Sequence, residues 1–317
     1  MIVLVTGPDG FVGRWVLRAL LAAGHEVVAG AQPGPPRPDG LTAAERKAVT
    51  WIPLELGDPG SVRQAAARAY DAVIHLAAVA SGGDALKDPG VAWAVNAAGT
   101  ARLVGEFGRR RQAGESDPVV VVVSTAEVYG AGPARRPLVE SDPTAPRSPY
   151  AASKAGAELA AVETRLRTGL KVVIARSFPH TGPGQDERFV APAFARRLRG
   201  ARLAHARVVK VGNLEPVRDF LDVRDVAEAY VALLARGVPG EVYNVASGRG
   251  LALGELFERL AAIVGVDAIA EPDPEFMRPA DIPYLVGDAG KLAAAAGWKP
   301  RIPLERTLTD LVNAQAD

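Results

Sequence analysis

The sequence contains no cysteine, only two methionines and nearly equal numbers of acidic and basic residues, with a formal net charge of +1 over 317 residues. Without cysteine the chain forms neither disulfide bonds nor thiolate metal sites, which fits a reducing compartment. The small net charge leaves no strongly basic surface for nucleic acid or an anionic membrane. We therefore expect no metal, no nucleic-acid partner and no membrane partner.

Long apolar runs are also absent, because no segment reaches the length of a membrane span. The chain begins directly with strand-like residues 2–5 and shows no basic, cleavable leader. Hydrophobic residues make up 48% and charged residues 23%, ordinary proportions for a protein with a full core. We expect a cytoplasmic protein with one large or two modest domains.

Strand-like and helical patterns alternate through the first part of the chain. Buried strands are predicted at residues 2–6, 26–30, 51–56, 71–78, 119–123, 171–177 and 242–245. Helices are predicted at residues 15–23, from 58, at 91–111, from 150, and up to 234. This alternation predicts an α/β fold with a doubly wound parallel Rossmann sheet.

The pattern changes after residue 177. An irregular loop at 179–185 is followed by a predicted helix at 189–199, a short strand at 207–211, and helices at 253–264, 289–296 and 304–312. These segments predict a smaller C-terminal α+β lobe that binds substrate. We expect residues 1–178 plus 218–247 to form the dinucleotide-binding domain, and residues 179–217 plus 248–317 to form the lobe.

A glycine-rich turn, GPDGFVG at residues 7–13, follows the first strand and opens the first helix. Strand, glycine turn and helix are the context that a dinucleotide-binding fingerprint requires. Gly7 permits the tight turn, Gly10 lets the backbone approach a pyrophosphate, and Gly13 lets helix and strand pack closely. We expect Gly7, Gly10, Phe11, Val12 and Gly13 to bind the cofactor.

The second strand ends without the carboxylate that would bind the ribose 2′-hydroxyl in an NAD-specific site. It runs into Ala31, Gln32 and a proline-rich loop. Arg37 in that loop could meet a 2′-phosphate, although a solvated loop charge is the simpler explanation. This pattern favours NADP(H), with NAD(H) possible. His75 lies in an apolar strand and is interpreted as a hydrogen-bonded core residue, not a catalyst.

Tyr150 and Lys154 stand four residues apart among good helix formers, so both side chains lie on one helical face. An ammonium beside a phenol lowers the phenol pKa from about 10 towards the working range. The pair could then exchange a proton with an alcohol or ketone. The valine-rich fifth strand delivers Thr125 and Glu127 to its C-terminal end, where open α/β sheets place their chemistry.

Together the motifs TGPDGFVG, STAEVYG and YAASK resemble the extended short-chain dehydrogenase/reductases that act on nucleotide sugars. Within that group RSFPHTGPGQ, VGNLEPVRDFLDVRDVAEAY and RPADIPYLVGDAGKL resemble most the GDP-4-keto-6-deoxy-D-mannose reductases, with GDP-mannose 4,6-dehydratases second. The resemblance spans essentially the whole chain. It implies a nucleotide-sugar substrate, a nicotinamide cofactor and a homodimer, since dimers through the tyrosine helix are common in the family.

The resemblance also implies residue roles. Thr125 would bind the substrate O4, Tyr150 would donate the proton, and Lys154 would hold the nicotinamide ribose. Further cofactor-binding residues would be Glu55, Leu56, Leu76, Ala77 and Ala78. The substrate-binding residues would be Thr125, Ala126, Pro179, Val190, Arg218 and Arg278. Arg218 and Arg278 would bind the diphosphate, although surface salt bridges would also explain these two arginines.

Two positions depart from the family pattern. Pro179 replaces an asparagine that usually helps to bind the sugar diphosphate, and Ala126 stands where dTDP-glucose dehydratases have a catalytic aspartate.

The candidate catalytic residues favour ketone reduction. This reaction needs one hydride from the cofactor and one proton, which Tyr150 and Thr125 could supply. Dehydration also requires removal of the C5 proton and protonation of the C6 hydroxyl, for which Glu127 is the candidate. We expect a reductase. A 4,6-dehydratase, a 4-epimerase and a non-catalytic NAD(P)-sensing protein are the alternatives.

Overall fold

The computed structural model describes residues 1–34, 40–132, 135–277 and 282–315. Arg37 and Arg278 lie outside these residues. The strands are β1 (Ile2–Thr6), β2 (Glu26–Ala31), β3 (Val49–Pro53), β4 (Ala72–His75), β5 (Val119–Thr125), β6 (Lys171–Ser177), β7 (His180–Thr181), β8 (Val208–Val211), β9 (Val217–Asp219), β10 (Leu221–Asp222), β11 (Val242–Val245), β12 (Gly250–Ala252), β13 (Ile269–Pro272) and β14 (Tyr284–Leu285).

The helices follow the same chain order. They are α1 (Phe11–Ala22), α2 (Ala43–Lys47), α3 (Pro59–Ala66), α4 (Gly82–Lys87), α5 (Pro89–Ala92), α6 (Thr100–Gln112), α7 (Pro149–Thr168), α8 (Val190–Leu203), α9 (Val223–Arg236), α10 (Leu253–Val264), α11 (Gly290–Ala296) and α12 (Leu304–Ala314). A π-helical segment, Trp93–Gly99, joins α5 to α6, and 3-10 turns occupy Ala126–Tyr129 and Pro274–Phe276.

Seven strands form one parallel sheet in the order β11-β6-β5-β4-β1-β2-β3. This confirms the predicted doubly wound α/β fold. The strand order reverses between β1 and β4, and open α/β sheets bind their ligands beside such a reversal.

Two hydrophobic cores cover the two faces of this sheet. Val3 and Val5 of β1 belong to one core, with residues of α1, α9 and α11, while Leu4 belongs to the other, with residues of α3 and α6. Successive strand side chains point to opposite faces, so a strand buried on both faces is apolar at most positions. That requirement explains why the apolar runs predicted these strands well.

A third hydrophobic cluster lies outside the sheet and is built mainly from α8, α10 and α12. Two small sheets accompany it, one pairing β8 with β13 and the other ordered β12-β9-β14. Helix α11 does not join this cluster, because Leu292 and Ala296 pack into a core of the large sheet.

Several predicted bounds needed correction. β6, β11 and α10 have the predicted bounds, whereas β3 was predicted at 51–56 and β4 at 71–78. Beyond Pro53 and His75 the chain lines a cavity. Leu54 and Leu76 still donate backbone hydrogen bonds to Ala31 and Thr6, but the residues after them belong to no strand, which the apolar pattern cannot distinguish. Helix α1 begins at Phe11, earlier than the predicted residue 15, because the glycine turn leads directly into its first turn.

No helix within the described ranges is long and apolar enough to cross a bilayer.

Candidate active site

A cavity of about 1290 Å³ opens at the carboxyl ends of the central strands. Of the predicted site residues, the lining contains Gly7, Gly10, Phe11, Val12, Gly13, Glu55, Leu56, Leu76, Ala77, Ala78, Thr125, Glu127, Tyr150, Lys154, Pro179, Val190 and Arg218. Ala126 does not contribute to it, because its side chain is fully buried in the core. Among the residues that the structure describes, no group of His, Asp or Glu side chains could hold a metal ion.

The glycine turn has the geometry of a dinucleotide cradle. Gly7 has φ +67°, and a Cβ there would lie 2.9 Å from the Ala77 backbone. A Cβ on Gly13 would lie 2.3 Å from the Gly7 carbonyl oxygen. At Gly10 the nearest protein atom would be 3.4 Å away, so the space beside it remains open. Gly10 precedes the first residue of α1, and helix N-termini favour anionic phosphates. The turn therefore fits a bound pyrophosphate.

The carboxylate of Glu55, which the resemblance assigns to the cofactor, lies beside the end of β2, a position that the sequence did not predict. The Glu55 carboxylate accepts hydrogen bonds from the Gln32 side-chain amide at 3.1 Å and from the Gly57 N–H at 3.0 Å. The prediction considered only the residues that follow β2, whereas Glu55 follows β3. The parallel β2–β3 pairing, visible only in the fold, brings the two side chains together.

Helix α7 carries Tyr150 and Lys154 into the cavity. The Ser148 hydroxyl accepts the Ala151 N–H at 3.1 Å and caps the helix immediately before them. Lys154 is only 4% exposed, and burial lowers its pKa to about 8, against an opposing effect of the Glu158 carboxylate. The sequence therefore placed both residues of the pair correctly on one helical face.

The pKa of Tyr150 moves in the direction opposite to our expectation. Burial raises it first and the charge of Glu127 raises it further, while a hydrogen bond with Thr125 lowers it. The expected lowering by Lys154 was wrong, because burial of the phenol outweighs the effect of nearby donors. Tyr150 is consequently held as a protonated phenol.

Thr125 ends β5 beside this phenol. Its side chain is 8% exposed, and its Oγ1 accepts the Glu127 N–H at 3.2 Å. Because that contact uses an acceptor lone pair, the hydroxyl proton can still be donated. Thr125, Tyr150 and Glu127 thus border one region of the cavity.

Asn96 is a supporting residue whose role the sequence did not reveal. It lies fully buried in the π-helical segment. Its Oδ1 accepts the Val79 N–H at 2.8 Å, and its Nδ2 donates to the Val79 carbonyl at 3.1 Å and to Ser153 Oγ at 2.9 Å. The residue therefore connects the loop after β4 to α7, and a lone asparagine in an apolar helix was the available signal.

His75 is a core residue, which confirms its interpretation. Its ring nitrogens pair with Thr6 Oγ1 at 2.7 Å and Thr100 Oγ1 at 2.9 Å. Burial, followed by the charge of Lys154, lowers its pKa to about 3. The ring therefore stays neutral.

The loop after β6 forms the other side of the cavity. The carbonyl of Pro179 accepts the Leu221 N–H at 2.9 Å. The His180 ring stacks on Phe11 of the glycine turn, with centroids 6.2 Å apart. Arg218 donates to the Ile282 carbonyl at 2.6 Å, so main-chain contacts hold its guanidinium at the cavity edge.

Comparison with known proteins places this geometry in a family. The family model described as GDP-mannose 4,6 dehydratase matches residues 4–311. The chain is 36% identical to GDP-6-deoxy-D-mannose reductase of Pseudomonas aeruginosa over 98% of this chain and 95% of that protein.

Solved structures agree with that placement. The structure of RMD from Pseudomonas aeruginosa complexed with NADPH is 34% identical, with a TM-score of 0.82 over 99% of this chain and 98% of that one. UDP-glucose 4-epimerase of Thermus thermophilus in complex with NAD is 30% identical, with a TM-score of 0.85 over 99% and 98% of the two chains. The chain therefore belongs to the GDP-mannose 4,6-dehydratase family of extended short-chain dehydrogenase/reductases.

Proposed function

We propose that the protein is a nucleotide-sugar oxidoreductase that reduces the C4 ketone of a GDP-4-keto-6-deoxy-hexose with NAD(P)H. One observation carries this proposal: Thr125, Tyr150 and Lys154 line one cavity of a chain that is 36% identical to GDP-6-deoxy-D-mannose reductase over 98% of its length. Burial and the charge of Glu127 raise the pKa of Tyr150, which keeps the phenol protonated in the protein without cofactor. Ketone reduction begins with a protonated phenol, which must give its proton to the sugar. Dehydration and epimerisation begin by oxidising a C4 hydroxyl, for which the phenol must first be deprotonated. The protonated phenol is the form with which reduction begins.

The bound nicotinamide would supply the hydride. Thr125 holds the sugar O4 by a hydrogen bond, and Tyr150 gives its proton to that oxygen as negative charge develops there. Lys154 would hold the nicotinamide ribose, and its ammonium would stabilise the phenolate that remains. Burial of Lys154 strengthens this electrostatic effect, because little water screens it.

We assign the cofactor to the glycine turn, to Glu55 and Leu56, and to residues 76–78 together with Tyr150 and Lys154. NADP(H) is proposed in preference to NAD(H). The Pseudomonas relative was solved with NADPH, and the residue after β2 is the neutral Gln32. Glu55, the nearby carboxylate, is hydrogen-bonded to Gln32 and Gly57, which supports its orientation towards these donors. The epimerase complex with NAD supports the alternative.

The substrate is assigned to the other side of the cavity. Residues Thr125, Pro179, Val190 and Arg218 would contact it, with Ala126 contributing backbone only, since its side chain is buried. Arg278 is proposed at the diphosphate with Arg218. The chain would then divide into a dinucleotide-binding domain of residues 1–178 plus 218–247 and a substrate lobe of residues 179–217 plus 248–317, although α11 within the second range packs against the large sheet.

A GDP-mannose 4,6-dehydratase is the second candidate, with 4-epimerisation behind it. The presence of Glu127 in the cavity favours the dehydratase, since its carboxylate could remove the C5 proton. Glu127 would have to serve the C6 hydroxyl as well, because Ala126 carries no ionisable group.

We propose a cytoplasmic homodimer that forms through α7. Leu159, Val162 and Leu166 expose 72%, 39% and 73% of their area in a stripe along this helix, and Trp93 exposes 46% beside it. Spacing of three and four residues aligns such side chains on one helical face, which suits packing against the same helix of a second copy. Analytical ultracentrifugation should give a dimer, and Leu159→Glu with Leu166→Glu a monomer.

Transfer of an isotopic label tests the proposed reaction. NADPH deuterated at the transferable C4 position should place deuterium at C4 of the GDP-6-deoxy-hexose product. Absence of label from the sugar in the presence of product would reject direct ketone reduction.

A further inference from the structure

We propose that Glu158 is a positioning residue for this chemistry: its buried carboxylate holds the catalytic face of α7 against the end of β5 and supplies the counter-charge for Lys154. The inference rests on the proposed function, since it concerns the groups that perform it. Nothing in the sequence pattern singled out Glu158, whose neighbours on α7 are mostly alanine and leucine.

The carboxylate of Glu158 is enclosed by donors from two strands. Ser124, on β5, donates its hydroxyl to Oε1 at 2.5 Å. Arg176, on β6, donates Nε to Oε1 at 3.0 Å and a terminal nitrogen to Oε2 at 2.7 Å. The three residues are 7%, 4% and 6% exposed, respectively. A bidentate contact with a guanidinium fixes both the orientation of a carboxylate and its distance.

These contacts lie next to the residues of the reaction along β5 and α7. Ser124 immediately precedes Thr125, and the β5–β6 register places Ser124 opposite Arg176 and Thr125 opposite Ser177. Glu158 lies four residues after Lys154 and eight after Tyr150, which places it on the same side of α7. The carboxylate thereby connects the strand that presents Thr125 to the helix that presents Tyr150.

The charge of Glu158 also matters to Lys154. The charged and titratable groups that interact with the ammonium are Glu158 on α7 and the neutral His75 on β4, and Tyr150 lies about one helical turn before Lys154 on α7. Arg176 lies behind Glu158, and its guanidinium stacks on the Tyr129 ring at 4.7 Å. Glu158 raises the pKa of Lys154 against the larger lowering by burial. Neutralising Glu158 would remove its contribution to the pKa of Lys154. It would also leave the Arg176 guanidinium without its carboxylate partner.

The test measures NADPH affinity against pH, because this readout does not depend on which sugar the enzyme reduces. In the wild type, affinity should fall as the pH rises through about 8, where Lys154 loses its proton. Glu158→Gln should move this fall to lower pH by about one unit or more. Glu163→Gln is the matched control, because Glu163 lies on the same helix but is exposed and pairs with Arg167 at 2.5 Å. It should leave the profile unchanged.

Glu158→Asp separates the positioning role of the carboxylate from its role as the counter-charge of Lys154. It keeps the carboxylate but withdraws it from Ser124 and Arg176, so kcat should fall about tenfold while the NADPH profile stays near that of the wild type. An unchanged profile in folded Glu158→Gln, or an unchanged kcat in Glu158→Asp, would overturn the proposal. If Glu158→Gln does not fold, the kcat of Glu158→Asp decides alone. Failure of the keto sugar as substrate, with the pH shift intact, would reject the proposed reaction but not the role of Glu158 at Lys154.

Discussion

The carboxylate of Glu127 and the phenol of Tyr150 face one cavity, and the carboxylate adds to the effect of burial in raising the phenol pKa. This relationship gives Glu127 an electrostatic role even where it transfers no proton. Because the Glu127 carboxylate opposes ionisation of the phenol, Tyr150 stays protonated and can donate its proton, as reduction of a ketone requires.

Glu127→Gln should therefore change ketone reduction little, by less than about tenfold, because a general acid with a somewhat lower pKa remains competent. The pKa of the Tyr150 phenol should fall, since one of the effects that raise it is removed. Steady-state kinetics across a pH range would measure both. A loss of a hundredfold or more would make Glu127 a proton-transfer group and favour dehydration.

Tyr150→Phe should retain the fold and NADPH affinity but lose turnover by about a hundredfold or more, the usual scale for a lost general acid. The substitution removes only the phenol oxygen. Fluorescence titration of NADPH and single-turnover kinetics separate the two effects. Near-normal kcat would refute the assignment of Tyr150 as proton donor.

The apolar pattern of the strands made the fold predictable from the sequence. The pKa values of the site residues could not be predicted in this way. Residues 172–175 of β6 form an apolar run because both faces of the strand are buried, so their sequence alone predicts a strand. Tyr150 and Lys154 were placed correctly because helical periodicity alone puts them together.

The pKa of Tyr150 could not be predicted from that periodicity. It depends on how deeply the phenol is buried and on Glu127, which approaches from another element. The Gln32–Glu55 contact and the Ser124–Glu158–Arg176 cluster likewise join residues distant in sequence through strand order. Such contacts carry no local sequence signal.

Lys154→Met should weaken NADPH binding yet stabilise the protein without cofactor. Because the folded pKa of about 8 lies below the ordinary 10.5, the unfolded chain binds the proton more readily, and the buried lysine costs stability below about pH 8. The difference between the unfolded pKa of 10.5 and the folded pKa of about 8 corresponds to about 3 kcal/mol. This gain should vanish as the pH rises above 10.5.

Denaturant unfolding at neutral and alkaline pH measures the gain. The exposed Lys47→Met serves as control and should show no comparable stabilisation. Equal or lower stability of Lys154→Met at neutral pH would contradict the stated cost of burying this charge.

NADPH should give a higher kcat/KM than NADH, because no carboxylate replaces Gln32 to repel a 2′-phosphate. Introducing one, by Gln32→Glu, should lower kcat/KM for NADPH about tenfold or more and spare NADH. A wild-type preference for NADH would instead indicate that Glu55 binds the ribose hydroxyls.

The most direct measurement compares two reactions of the purified wild-type protein. One sample receives GDP-4-keto-6-deoxymannose with NADPH, and the other receives GDP-mannose without a reductant. Nicotinamide absorbance and product mass are followed in both. The account predicts one NADPH oxidised per keto sugar and no loss of water from GDP-mannose. Loss of water from GDP-mannose, with no oxidation of NADPH by the keto sugar, would contradict it and make Glu127 the catalytic base of a dehydratase.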